Sequence, residues 1–315
     1  MNKLTITSLG LFAMAVLSFG MQKPTITGAA PLVVNAQGES PDPAAMLGEM
    51  TQFNYPGGGK ARAGRIYRGR RHGEWKGWFF DGTLAYVGSY KDYKLDGLWM
   101  FCYEDGSKRE QGHFLKGLRQ GEWNEFYPGG EKRSTSFWKL GAQQGGRTQF
   151  AVQGFVVAEF FYVDGLRAGP AKIYGTKGKL SMAGNYVRNG KQGAWTYFTP
   201  NGERKSLGSF DKDVESGLWQ FFYADGEVEA QGPYNNGTQE GAWTGFYPDG
   251  KTRFEGSFEA GKPQGIWVRY AANGLRSNTG LMEDGERSGW WQEWDEFGRP
   301  NDAQSGFYDK GIKTE

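Results

Sequence analysis

The chain has 315 residues, 38% of them hydrophobic, and a formal net charge of +2 at pH 7. So small a charge excludes a whole-molecule electrostatic drive toward nucleic acid or an anionic membrane, and the single Cys102 excludes an internal disulfide. Length alone would allow two ordinary domains, but a 24-residue repeat replaces that expectation with one array whose units touch mainly their neighbours.

Residues 1–21, "MNKLTITSLGLFAMAVLSFGM", place Lys3 before an apolar core from Leu9 to Phe19, with small residues beyond, as a secretory signal peptide does. Cleavage is expected after Gly20 or as late as Ala36. An uncleaved anchor is the alternative, although the core is short for a spanning helix. No other membrane insertion is expected, and the protein is read as exported: periplasmic, envelope-associated or secreted. Residues 22–48, with Pro24, Pro31, Pro41 and Pro43, are expected to form a disordered linker.

The array is expected over residues 49–312, as eleven units of 24 with a two-residue slip near Gly306. Its frame is a leading glycine at Gly73, Gly97, Gly121, Gly145, Gly169, Gly193, Gly217, Gly241, Gly265 and Gly289. Two residues on stands an indole: Trp75, Trp99, Trp123, Trp195, Trp219, Trp243, Trp267 or Trp291, with Arg147 and Ala171 as departures. A turn dipeptide follows, as in Asp81-Gly82 and Asn201-Gly202, then a second glycine such as Gly88 and a ring two residues later such as Tyr90. Asp-Gly or Asn-Gly between aromatic-rich runs marks a two-residue type I′ hairpin, so each unit is read as one hairpin. Helices are excluded because glycines at fixed places would each cost a helix interior about 1 kcal/mol.

Pairing back from that turn sets Trp75 opposite Gly88 and Gly73 opposite Tyr90. Each glycine then faces a ring able to lie over its bare backbone, and indoles of successive units are expected to stack at one level. A third series, Trp78, Phe126, Phe150, Tyr174, Phe198, Phe222, Phe246, Tyr270 and Trp294, is broken only by Cys102. Alternation puts it on the face opposite the indoles, unless a bulge returns it to the same side. The expected fold class is all-β: an elongated, twisted and curled antiparallel sheet.

The composite G-x-W-x-x-[FY]-[FY]-x-[DN]-G-x(5)-G-x-[FY]-x-x-G, nearly whole in "GAWTGFYPDGKTRFEGSFEAG", resembles the MORN repeat, and more closely the bacterial variant in proteins described as antitoxins of toxin–antitoxin pairs. The resemblance implies a sheet of hairpins acting as a scaffold or interaction surface without a catalytic centre.

The residues agree in offering little chemistry. His72 and His113 occupy unrelated places in the repeat, so no zinc-type ligand set forms; no cofactor or metal is expected. Cys102 stands where other units carry a ring and is read as packing. Turn aspartates supply too few oxygens for calcium, and Glu122 with Glu125 is the one acid pair to weigh. Two stretches are candidate interaction sites. Lys60, Arg62, Arg65, Arg68, Arg70 and Arg71 form an acid-free basic run for an anionic partner. In the centre, Arg147 and Ala171 interrupt the indoles and Phe160 replaces the second glycine; with Phe155 and Phe161 these mark a bend or recess. The expected function is a non-enzymatic scaffold for an unidentified protein or another copy, with no nucleic acid. A toxin-occluding antitoxin and an envelope glycan-binding module with exposed rings are the alternatives.

Overall fold

The computed structural model describes residues 48–314, so the expected leader and all of the expected linker but Gly48 lie outside the described residues. The described chain is one open antiparallel sheet of 24 strands, from Glu49–Asn54 to Ile312–Lys313, built as hairpins paired in chain order. Eleven hairpins account for 22 strands. The extra two are Ile312–Lys313, beyond the last hairpin, and a break at Glu240 between Thr238–Gln239 and Gly241–Phe246. Pro233 lies across from that break; it has no N–H to give the ladder, and its carbonyl accepts both the Glu240 N–H at 3.0 Å and the Trp243 indole N–H at 3.1 Å. No helix among the described residues is long and apolar enough to cross a membrane.

The expected register holds: Trp75 pairs with Gly88 and Gly73 with Tyr90. The turn that sets it is different. Phe79 N–H donates to the Thr83 carbonyl and Gly82 N–H to the Phe79 carbonyl, closing a three-residue loop of Phe80, Asp81 and Gly82. Only Gly82 has positive φ, which is the type I turn with a glycine bulge rather than type I′. Asp81 keeps negative φ while its Oδ1 accepts the Thr83 N–H at 2.9 Å. The added loop residue is absorbed at Ala85, skipped between the pairs Gly77–Tyr86 and Trp78–Leu84. True type I′ turns join one unit to the next, as at Arg188 and Asn189, with φ of +48° and +72°.

The two glycines have separate purposes, and neither is covered by the ring it is paired with in register. Leading Gly97 has φ +77° and open space where a Cβ would stand. It belongs to a bulge in which Gly88 alone faces Gly97, Leu98 and Trp99. The second glycine is the covered one, but by the indole of the following unit: a Cβ on Gly88 would lie 2.1 Å from Trp99, and one on Gly208 2.1 Å from Trp219. The bulge swings each indole back over the preceding hairpin. There its N–H donates to a carbonyl of that hairpin, Trp99 to Ser89 at 2.9 Å, and likewise for all the indoles of the series except Trp219.

Indoles do not stack on one another. A ring from the end of each hairpin stands between them, mostly edge-on: Trp195 to Phe210 at 6.3 Å, Phe210 to Trp219 at 5.4 Å, Trp219 to Tyr234 at 5.5 Å, Tyr234 to Trp243 at 5.6 Å. Such pairs add about 0.5–1.5 kcal/mol each beyond burial. Trp75, Trp123, Trp195 and Trp291 are fully buried in this row, which we call the indole face. The third aromatic series stands on the other face. The skipped residue is on the partner strand, so alternation from Trp99 to Cys102 is unbroken, and Trp78, Phe126 and Phe222 of that series lie under cations, as Lys108 over Phe126 at 5.3 Å.

Because Gly208 is restricted by a ring and Gly217 by its φ of +66°, the two are expected to respond differently to alanine. Gly208→Ala should cost about 1–3 kcal/mol in urea unfolding and almost nothing once Trp219→Ala has removed the ring, whereas Gly217→Ala should cost the same in both backgrounds.

Candidate functional site

The central units show what happens where the indole is lost. In the regular array each indole lies over the second glycine of the preceding hairpin, as Trp195 over Gly184. Where Arg147 and Ala171 replace the indole, the glycine changes too. Phe160 pairs directly with Ala171, inverting large and small, and Ser136 pairs with Arg147. Phe160, buried with Ala171, meets Tyr186 at 6.2 Å and so rejoins the aromatic row that continues through Trp195. The expected interruption is confined to the Ser136–Arg147 pair.

A polar cluster fills that gap on the indole face. Glu125 accepts from Ser134 Oγ at 3.0 Å and lies 3.6 Å from the Arg147 guanidinium, while Trp138 Nε1 donates to Ser136 Oγ at 2.9 Å. Arg147 Nε and Gln143 Nε2 are buried without a partner. Glu122, weighed as an acid partner for Glu125, instead accepts from Asn124 and is solvent-exposed. The two carboxylates are not brought together.

On the opposite face the same break leaves a recess of about 300 Å³, bordered by Gly146, Thr148, Glu159, Phe161, Pro170 and Lys172, with Arg147, Phe160 and Ala171 at its floor. Gly146 makes it. It pairs with Phe161, and a Cβ there would meet nothing within 4 Å. Phe161 is 41% exposed along one wall. The other wall is polar: Tyr174 donates to Glu159 at 2.8 Å, and Lys172 Nζ lies 3.8 Å from the same carboxylate. Burial, and next the Glu159 carboxylate that the phenol donates to, push the Tyr174 pKa up to about 12. Of the central candidates, Arg147, Phe160, Phe161 and Ala171 meet here; Phe155 lies apart, against the turn at Gly178.

The basic run is divided. Arg68, Arg70 and Arg71 gather with Tyr67, His72 and Asp92 around a second recess of about 330 Å³. Arg70 stacks on Tyr93 at 4.7 Å, and Arg71 on Trp75 at 4.8 Å while donating to Tyr90 Oη at 3.0 Å. Arg65 donates to the Gly48 carbonyl, Arg62 lies over Phe53 and Lys60 over Trp78. None of the six forms an ion pair among the described residues. Sequence reading missed that Arg71 belongs to a series. Arg71, Arg119, Lys191 and Arg287 each stand two residues before a leading glycine and lie 4.1–4.9 Å over an indole. The basic character of that one repeat position was the available signal. His113 is remote from His72, no metal-holding group of side chains occurs among the described residues, and Cys102 is buried with its thiol pKa raised by burial.

Comparison with known proteins locates MORN repeat variants at three places, residues 71–92, 215–236 and 239–260. No curated protein matches. Among solved structures, a mutant of S. aureus TarM in complex with fondaparinux, alpha-GlcNAc-glycerol and UDP is 18% identical at a TM-score of 0.23, over 30% of this chain and 19% of that one. The assembly TcdB2-TccC3-Cdc42 is 10% identical at a TM-score of 0.18, over 80% of this chain and 17% of that one. The chain therefore spans less than a fifth of either.

Two outcomes are expected at this site. Ala171→Trp should destabilise by about 1–3 kcal/mol because Phe160 occupies the space, and adding Phe160→Gly should recover most of the loss in urea unfolding. Tyr174, with its folded pKa raised, keeps its hydrogen bond at neutral pH, and the stability it adds is lost as pH rises from about 10 through about 12. Difference absorbance of wild type against Tyr174→Phe should show that late step, and Glu159→Gln should move it down.

Proposed function

We propose that the protein is an exported, non-enzymatic scaffold that holds a partner protein against the central recess of its MORN-type sheet. The carrying observation is that this is where the repeat departs from its rule on both faces at once. Gly146 opens a cleft on the outer surface while the compensated pair Phe160–Ala171 keeps the sheet intact beneath it. A half-exposed phenyl beside an acid, an ammonium and a phenol suits a side chain with an apolar body and a polar tip, the kind enriched at interface anchors. Antitoxin action would be one use of such a surface, through occlusion of the bound protein. The glycan-binding alternative would use rings outside the indole series, which is buried at 6% exposure or less, such as Trp290 at 48%.

The arginine recess supports a secondary contact of the same scaffold with an anionic group on the partner, since Arg68, Arg70 and Arg71 converge there without a salt-bridge partner. Capture from the envelope fraction by the full chain, followed by mass spectrometry, tests the reading. Gly146→Leu fills the cleft at a position of ordinary φ and should abolish capture of the partner while leaving the thermal transition in place. Capture that persists in Gly146→Leu would exclude the recess as the docking site.

A further inference from the structure

The margin of the sheet where one unit turns into the next is most basic at its N-terminal end. Its first three connections, 67–70, 91–94 and 115–118, carry Arg68, Arg70, Lys91, Lys94 and Lys116 against the single acid Asp92. Later connections mix signs, with Lys139, Asp164 and Arg188, or turn acidic, with Glu283, Asp284 and Glu286. Between the first three lie two recesses that share Asp92. One is the arginine recess of about 330 Å³; the other, of about 280 Å³, is bordered by Lys91, Lys94, Asp96, Leu115 and Lys116. Together they gather six cations against two acids, in a chain whose whole formal charge is +2. None of the six cations, nor Asp92, forms an ion pair among the described residues. Asp96 is occupied, its Oδ2 accepting the Lys116 N–H at 3.2 Å. The frame is pinned: Tyr93 Oη donates to the Gly69 carbonyl at 3.3 Å and the Gly117 N–H to the Leu95 carbonyl at 2.8 Å, each tying one connection to its predecessor.

We propose that this double recess binds an extended acidic segment of a protein, laid along the margin with one carboxylate in each recess. The proposal rests on the reading that the arginine recess meets an anionic group of a partner protein, and it specifies that group; it does not depend on the central recess. Spacing sets the first requirement. The recesses are one hairpin apart, about 9.6 Å at two strand spacings, which an extended chain covers in about three residues, so acids at every third position would fill both. Asp92 sets the second. Standing between the two groups of cations, it repels a chain charged along its whole length, such as polyphosphate, and calls for a donor, which an extended peptide supplies as a backbone N–H. Leu115 sets the third. It borders the second recess at 44% exposure and pairs across its turn with Leu118 at 46%, an apolar step that a peptide side chain can cover and a hydroxyl-rich acidic glycan cannot. The arginines suit carboxylates: Arg70 is stacked by its face on Tyr93, which leaves its N–H edge for a two-pronged contact.

Titration of the full chain with two labelled peptides of identical composition tests this. One carries glutamate at every third position, with serine and glycine between and a leucine beyond the last acid; the other holds the same glutamates in one block. The spaced peptide is expected to bind about tenfold more tightly, and to lose that advantage in Arg70→Gln with Lys94→Gln. Both positions are exposed, so the melting profile of the variant should stay as in the wild type. Asp92→Asn should raise the affinity for polyphosphate more than that for the spaced peptide. Equal binding of the two peptides overturns the proposal, as does a spaced-peptide affinity that the double substitution leaves unchanged. Tighter binding of polyphosphate or polygalacturonate of the same charge overturns it too, in favour of another kind of chain. The Gly146→Leu chain should bind the spaced peptide as the wild type does. Loss of capture in Gly146→Leu therefore reports on the central recess, and loss of peptide binding in Arg70→Gln with Lys94→Gln on this margin, so failure of either reading is seen by itself.

Discussion

The fold depends on one contact: an indole laid over the bare main chain of a glycine in the preceding hairpin. A two-stranded hairpin alone cannot shelter a tryptophan, and an isolated one is marginally stable in water. Swinging the ring backward gives each unit's largest side chain a place only its neighbour can provide. The same movement satisfies the buried indole N–H, which donates to a carbonyl of that preceding hairpin. Tyrosines repeat the logic at the other end of the hairpin, where Tyr103, Tyr127, Tyr223 and Tyr247 each donate to a carbonyl of the following unit at 2.7–3.0 Å. The indole reaches back one hairpin and the tyrosine forward one, so each unit is tied to both neighbours, which is what makes stability a nearest-neighbour property.

That constraint explains the form of the exceptions. If an indole and a glycine from successive hairpins share one volume, neither can change alone. The Phe160–Ala171 pair conserves the summed volume by exchanging which strand is large, and the aromatic row passes through it. The Ser136–Arg147 pair gives up the apolar contact and recruits Glu125, Ser134 and Trp138, at the expense of two buried N–H groups without acceptors, on Arg147 and Gln143. Such groups are costly to bury. The array tolerates them because the units on either side are held, one by Trp123 and the other by the Phe160–Ala171 pair.

Much of this was legible in the sequence, for a physical reason: period and register are written in residue identity once per turn of the repeat. The pairing of Trp75 with Gly88 and of Gly73 with Tyr90 follows from spacing alone. What spacing could not carry was direction. Asp81-Gly82 suits either a two-residue or a three-residue loop, and the two differ by one residue that Ala85 silently absorbs. Leading and second glycines look alike as letters, yet Gly97 is needed for its φ and Gly88 for its missing Cβ. Which hairpin an indole covers turns on the bulge at the leading glycine, and a bulge made of three residues against one leaves no mark on the period. At the candidate site, Arg147, Phe160, Phe161 and Ala171 stood out as departures, whereas Gly146 did not, because one more glycine among 51 carries no signal until its partner strand is known.

The division between faces then narrows where recognition can occur. Every large ring on the indole face is engaged by a glycine, a neighbouring ring or a cation above it, so a ligand there would have to displace contacts that hold the units together. The opposite face has no such obligation. Its ladder of threonine, asparagine and glutamine is satisfied across strands, and its apolar residues are spare to the fold: Leu218 and Ile266 are more than half exposed and contribute nothing to the indole row. A substitution on that face can therefore change what the surface meets without disturbing the contacts that hold the hairpins together.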